Sequence, residues 1–313
     1  MVKPDDSSLD PKAQRAVEER ARSILDRAAA WDRFPTPVED IVKSAKLRVA
    51  PTSAFDARAI LEYVQSKAGG AARAIKGALS KVFGLYDSEE ALIHIDDSVN
   101  EAKQNFLKLH ETGHHEIPTH RKIFRLFQDC DKTLAPEIAD RFEREANSFA
   151  RFVLFQGDIY QREAADYPLE IKTPLRLAKR FGSSAYASIR EFVRTHHKAC
   201  IVYVLEPIEL VPGNPPRAQV RRIEASPSFR RRFGVPTDAV IDMSHALGKL
   251  LPIGRRMTRP TTLVAVDRNG VHHECVGEAF GTPHNVFLLV CPVRDLTSTT
   301  IVISGVALRF EPS

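Results

Sequence analysis

Residues 110–114 read His-Glu-Thr-Gly-His, and nothing else in the 313-residue chain restricts its fold and chemistry as much. The spacing has meaning only on a helix. Each helical residue turns about 100°, so His110 and His114 stand one turn apart on one face, where both imidazoles can reach a single ion. His115 points roughly another 100° round the helix and elsewhere. The residues leading into the motif predict a helix over 99–116, with Val99, Ala102, Phe106 and Leu109 recurring at the spacing of a buried face.

Two histidines are an incomplete site. Zinc in a hydrolytic centre takes three protein ligands and keeps one position for water. A second helix, predicted over 136–156, carries Phe142, Ala146, Phe149, Ala150 and Val153 on an apolar side and offers two carboxylates, Glu143 and Glu145. Glu143 shares its face with Asn147 and with small Ala146 and Ala150, which permit close helix approach. Asn147 is then placed to bond the outer nitrogen of a ligand histidine, a partner that metal histidines usually need. Glu145 stands about 200° round the helix from Glu143 and has no such companion. Glu143 is favoured, and Glu145 stays open. Glu111 is then no ligand but a general base, taking a proton from the attacking water and returning it to the leaving nitrogen. The opposing reading is a helix with a surface Glu and two incidental histidines.

At this point a family comes into view. The string Phe106-Leu-Lys-Leu-His-Glu-Thr-Gly-His114, followed by Glu143-Arg-Glu-Ala-Asn-Ser-Phe-Ala150, resembles the ImmA/IrrE family of zinc metallo-endopeptidases. Pro37–Val42, the strand-like Leu47–Ala50, Gly84-Leu85-Tyr86 and Ile93–Asp96 extend the resemblance over about residues 12–156. It implies a Zn2+ enzyme with His110, His114 and Glu143 as ligands and Glu111 as the catalytic residue. Its protein substrate is implied to be a bacterial transcriptional repressor of the helix-turn-helix type, controlling stress or mobile-element genes. The implied fold is α+β in three parts: a mostly helical, zincin-like peptidase domain with a small sheet over 1–160, a helix-turn-helix-like module over 161–198, and a β-rich α+β sensor or recognition domain, GAF-like by position, over 199–313. Three features depart from the family pattern. Thr112 stands where Leu or Ile is usual, the stretch 120–136 is long and charged, and Phe155-Gln156 replaces a proline-ended finish.

The remaining readings are less specific. A helix is predicted over 9–32, a short one after Thr36 as N-cap, another over 57–79, and strands at Val82–Tyr86, Ala91–Ile95, Cys200–Leu205, Thr262–Val266, Val286–Val290 and Thr300–Val306. Leu177–Ala187 reads as two helices with a tight turn at Gly182; Lys179, Arg180 and Arg190 are its candidates for DNA phosphates, but with few basic residues near the second helix a packed helical pair that binds no DNA is favoured. Arg217–Arg232 holds six arginines against Glu224 alone, read as a solvated, loop-rich basic face with nucleic acid or an acidic partner as the alternative. His272-His273-Glu274-Cys275 alternates across a strand, so no three of its side chains, even with His284, converge on a metal. Tyr86, Tyr160 and His115 are candidates for holding an oxyanion.

Composition sets the outer limits. With 43% hydrophobic and 27% charged residues, neither a disordered chain nor a disulfide scaffold fits. Charge is spread, with 13 Lys/Arg against 10 Asp/Glu from Cys200 onward within a total of +5, so neither part is a dedicated nucleic-acid arm. Apolar runs such as Val286–Cys291 fall far short of the ~18 residues a membrane span needs. Met1–Ser8 shows no apolar leader, and Cys130, Cys200, Cys275 and Cys291 form no Cys-x-x-Cys pair. A cytoplasmic protein with idle thiols is expected. The rival function is a DNA-binding regulator with a structural zinc site, disfavoured because such sites close with four ligands, commonly including Cys.

Overall fold

The computed structural model describes residues 6–50, 84–87, 91–95, 99–121, 136–294 and 309–311. The fold is mixed α+β. The chain forms two compact units, Met1–Ile159 with Lys179–Ser184, and Tyr160–Ala178 with Ala185–Ser313. The predicted helix over 57–79, the strand at Thr300–Val306 and Cys130 lie outside the described residues.

The first unit opens with α1 (Pro11–Arg27), which buries Ala13, Val17, Ala21, Ile24 and Leu25 along one stripe. Asp10 caps it by accepting from the Lys12 and Ala13 amides, each at 3.0 Å, and Pro11 sits where a missing N–H costs nothing. The helix stops at Arg27, short of the predicted 32, because Ala29 (φ 47°) and Asp32 (φ 57°) take left-handed conformations. In α2 (Val38–Ser44), Val38, Ile41 and Val42 are buried. Thr36 is not its cap. The Thr36 hydroxyl instead donates to the Leu154 carbonyl at 2.8 Å. The strands β1 (Arg48–Val49), β2 (Gly84–Asp87) and β3 (Leu92–Ile95) form a small mixed sheet in the order β1-β3-β2, with β1 parallel to β3 and β2 antiparallel to it.

Two helices then carry the candidate site, α3 (Glu101–Glu116) and α4 (Pro136–Leu154). Asn100 caps α3 by accepting from the Lys103 amide at 3.0 Å. The helices meet closely at Gly113, where an added Cβ would lie 3.1 Å from Phe149 Cδ1 and 3.3 Å from Ala146 Cα. Beyond α4, Gln156 is fully buried. Its amide donates to the Arg33 carbonyl (2.8 Å) and Thr36 Oγ1 (3.1 Å), and its carbonyl accepts from the Asp32 amide (2.8 Å), so one side chain holds the 32–36 loop.

The second unit contains α5 (Ile159–Ala165), which was not predicted, and α7 (Ala185–Thr195); α6 (Lys172–Phe181) begins in it, and the turn after α6 is made by Gly182 at φ 69°. Among the described residues its strands form a seven-stranded antiparallel sheet: β4 (Ile201–Leu205), β5 (Arg217–Ala225), β6 (Val240–Asp242), β7 (Thr261–Val266), β8 (His272–Gly281), β9 (Val286–Pro292) and β10 (Arg309–Glu311), in the order β10-β7-β8-β9-β4-β5-β6. All five residues of β4 are buried, as expected of a strand covered on both faces. Ile201, Tyr203 and Leu205 enter a core with Leu288, Val290 and the two phenylalanines of α8 (Pro227–Phe233).

The arginine run is therefore not loop. It is β5 followed by α8, with Glu224 buried at its centre. Glu224 Oε1 accepts from Arg190 Nη2 at 2.8 Å and Arg194 Nη2 at 3.0 Å, and Arg222 and Arg230 lie at 3.7 and 3.8 Å. Burial disfavours its charge, but Arg194 and Arg190 outweigh burial and hold the carboxyl at about 2.

Candidate metal centre

His110 and His114 project from one face of α3, and Glu143 reaches them from α4, so one ligand atom from each lies within 4.8 Å of the others. His110 Nε2 is 3.1 Å from His114 Nε2, and the Glu143 carboxylate is 3.4 Å from the first and 3.6 Å from the second. An ion held tetrahedrally at about 2.0–2.1 Å would keep its ligand atoms about 3.3–3.4 Å apart. The two-nitrogen, one-carboxylate donor set suits zinc, and the two imidazole nitrogens, 3.1 Å apart, stand close to that spacing. The histidines are buried, whereas the Glu143 side chain is 52% exposed, so the site opens to solvent on the carboxylate's side.

The surrounding hydrogen bonds determine which ring nitrogens carry protons. Asn147 Nδ2 donates to the Asp6 carbonyl at 2.9 Å, which turns its Oδ1 toward His110 Nδ1, 3.0 Å away. His110 Nδ1 must then be a donor. On the other side, His114 Nδ1 lies 3.1 Å from His120 Nδ1, and His120 Nε2 lies 2.8 Å from Glu145 Oε2. The Glu145 carboxylate also accepts from Arg141 Nε at 2.7 Å. Burial raises Glu145, but the His120 and Arg141 hydrogen bonds outweigh it and leave the carboxyl below its usual range. His120 Nε2 thus donates. Burial lowers His120, and in the neutral tautomer that donates from Nε2 its Nδ1 is left to accept from His114. With the outer nitrogens donating, the two Nε2 atoms are the ones turned toward the Glu143 carboxylate. Three electron-rich atoms converge, and the arrangement calls for a positive charge among them.

The titration behaviour says the same. Burial alone would lower His110, but the hydrogen bond and charge of Glu143 raise it to about 9. Burial and the neighbouring His110 charge hold His114 well below its usual value. Glu143 is resisted by burial yet held at about 2 by His110. Glu111 is buried beside His110, and burial pushes its carboxyl up to about 7.

The structure thus gathers four sequence-predicted residues, His110, His114 and Glu143 with Glu111 adjoining, and sends Glu145 to His120. Tyr160 is not available as an oxyanion donor, because its buried hydroxyl bonds the Ser188 carbonyl (2.8 Å) and hydroxyl (2.7 Å). The Thr112 hydroxyl donates back to the Lys108 carbonyl at 2.7 Å, one turn earlier in α3. Sequence reasoning missed His120. The available signal was Glu145 itself, a carboxylate on the more buried part of α4 that required a donor.

Comparison with solved structures finds a Mycobacterium tuberculosis transcriptional regulator of similar fold, with a TM-score of 0.52 and 12% identity over 89% of this chain and 76% of that one. At that identity the likeness shows a shared fold. No protein-family model matches the chain, and no curated protein does. No described helix is long and apolar enough to cross a membrane.

Proposed function

We propose that the chain is a zinc-dependent endopeptidase acting on a transcriptional repressor. The observation that supports a metal-dependent reading is the convergence of His110 Nε2, His114 Nε2 and the Glu143 carboxylate beside a buried Glu111; the repressor as substrate rests on the sequence resemblance alone. When bound, zinc supplies Lewis-acid activation of a water and of the scissile carbonyl. The chain's residues do the rest. Asn147 and His120 hold the two imidazoles in the tautomer that presents Nε2. Glu111, its carboxyl at about 7, takes a proton from the attacking water and passes it to the departing amine. Glu143 completes a three-ligand set. Among the described residues no fourth ligand closes the site, since His120 meets His114 on the outer nitrogen and Glu145 is bound to His120. An open set of this kind supports a catalytic site over a structural one.

The regulator reading draws support from the Mycobacterium tuberculosis neighbour, a transcriptional regulator. The second of the two helices predicted for DNA reading argues against it, whereas Lys179 and Arg180 on the first are exposed. No residue of α7 is exposed, and Arg190, a candidate phosphate contact, is buried against Glu224. The test is to add purified wild type and Glu111→Gln to extracts and map new protein N-termini. Cleavage of a repressor by wild type alone is expected. No wild-type-dependent cleavage, or equal cleavage by both, would refute the proposal.

A further inference from the structure

We propose that His120 is a positioning residue of the metal centre, coupling the ligand His114 to Glu145 and Arg141; this rests on the zinc reading above. The geometry is a directed chain. His114 Nδ1 donates to His120 Nδ1 at 3.1 Å, His120 Nε2 donates to Glu145 Oε2 at 2.8 Å, and Arg141 Nε donates to Glu145 Oε1 at 2.7 Å. A ligand histidine that offers Nε2 to an ion carries its proton on Nδ1, so His114 is the donor in the first bond and His120 Nδ1 the acceptor, which leaves His120 Nε2 to donate to Glu145. The His120 ring is fully buried and stacked on Phe142, with centroids 4.0 Å apart and planes at 24°. Rotation that would break the chain is thereby hindered.

The arrangement explains an economy in α4. Glu143 faces the ion, and Asn147, four residues on, holds the outer nitrogen of His110. Glu145 points to another side of the helix and cannot reach His114 itself. His120, placed after the break at Ile117, spans that gap. One helix therefore supplies a ligand and orients both ligand histidines, one directly and one through His120. Outer partners of this kind typically change metal affinity by about 10–100-fold.

Two substitutions separate this role from packing. In His120→Asn the side-chain oxygen can occupy the place of Nδ1 and still accept from His114. His120→Leu keeps volume and the apolar face toward Phe142 but offers no acceptor. Zinc dissociation constants of the full chain would be measured by chelator competition, with the cobalt-loaded absorption spectrum as a second readout. We expect Asn to stay within about threefold of wild type and Leu to weaken binding about 10–100-fold. Leu binding as tightly as wild type, or Asn as weakly as Leu, would overturn the proposal while leaving the zinc reading intact. A wild type that binds no zinc would overturn both. Should the Leu variant fail to fold, nitrogen NMR of zinc-loaded wild type decides. A proton on His120 Nε2 with bare Nδ1 is expected, and the reverse tautomer would overturn the proposal.

Discussion

Raising the pH from 7 to 9 is a perturbation whose effect on zinc binding follows from the site. With His110 held at about 9, close to one chain in a hundred at pH 7 has the bare Nε2 that an ion needs. Displacing that proton costs about 2.7 kcal/mol at pH 7, two pH units at 1.36 kcal/mol each. Apparent zinc affinity should therefore climb about tenfold per unit between pH 7 and 9, about 100-fold in all, and level off above. The sign is that of a raised base: the proton is present below 9, so affinity falls as pH falls. Folding of the metal-free chain runs the opposite way. The protonated His110 contributes stability that is complete below 6.5 and is lost as pH rises through about 9. Chelator-buffered titrations across this range measure the affinity, and calorimetry in two buffers of different ionisation enthalpy counts about one proton released at pH 7. Affinity that stays level from pH 7 to 9, or binding without proton release, would refute the reasoning.

Other perturbations separate chemistry from architecture. Glu111→Gln should retain zinc while lowering cleavage by about 10²–10⁴-fold, as expected when only the base is lost; parallel metal analysis and turnover assays check both halves. Gly113→Ala places a methyl 3.1 Å from Phe149 Cδ1 where α3 meets α4, and should destabilise by about 1–3 kcal/mol, visible as a lower melting temperature. In the second unit, Glu224→Gln removes a carboxyl held at about 2 instead of 4.5, about 3 kcal/mol of stability. In wild type that contribution is complete above pH 4.5 and is lost as pH falls through 2, so acid melts of the two proteins should converge.

The parts of the fold written in one local stretch were legible from sequence. The helical spacing of His110 and His114 and the Glu143, Asn147 pairing on α4 needed only helix geometry, and the structure brings these residues together. What depended on distant partners was not. Arg190 looked like a phosphate contact because Glu224 lies 34 residues away, and only the packing of α7 on β5 unites them. The strand β5 was hidden because its outward positions Arg217, Gln219 and Arg221 are polar while the inward Ala218 is small. In β8, Gly277 interrupts the apolar pattern for a tertiary reason: a Cβ there would lie 2.5 Å from Leu250 and 2.7 Å from Leu263. His120 escaped notice because its role exists only once Glu145 and His114 face it from two helices.

The central claim is that His110, His114 and Glu143 form an open three-ligand zinc site. Metal analysis of the full chain purified without added metal, for wild type and Glu143→Ala, tests it most directly. One zinc per chain in wild type and a large loss in Glu143→Ala is the predicted result. A metal-free wild type, or zinc retained in full without Glu143, would contradict it.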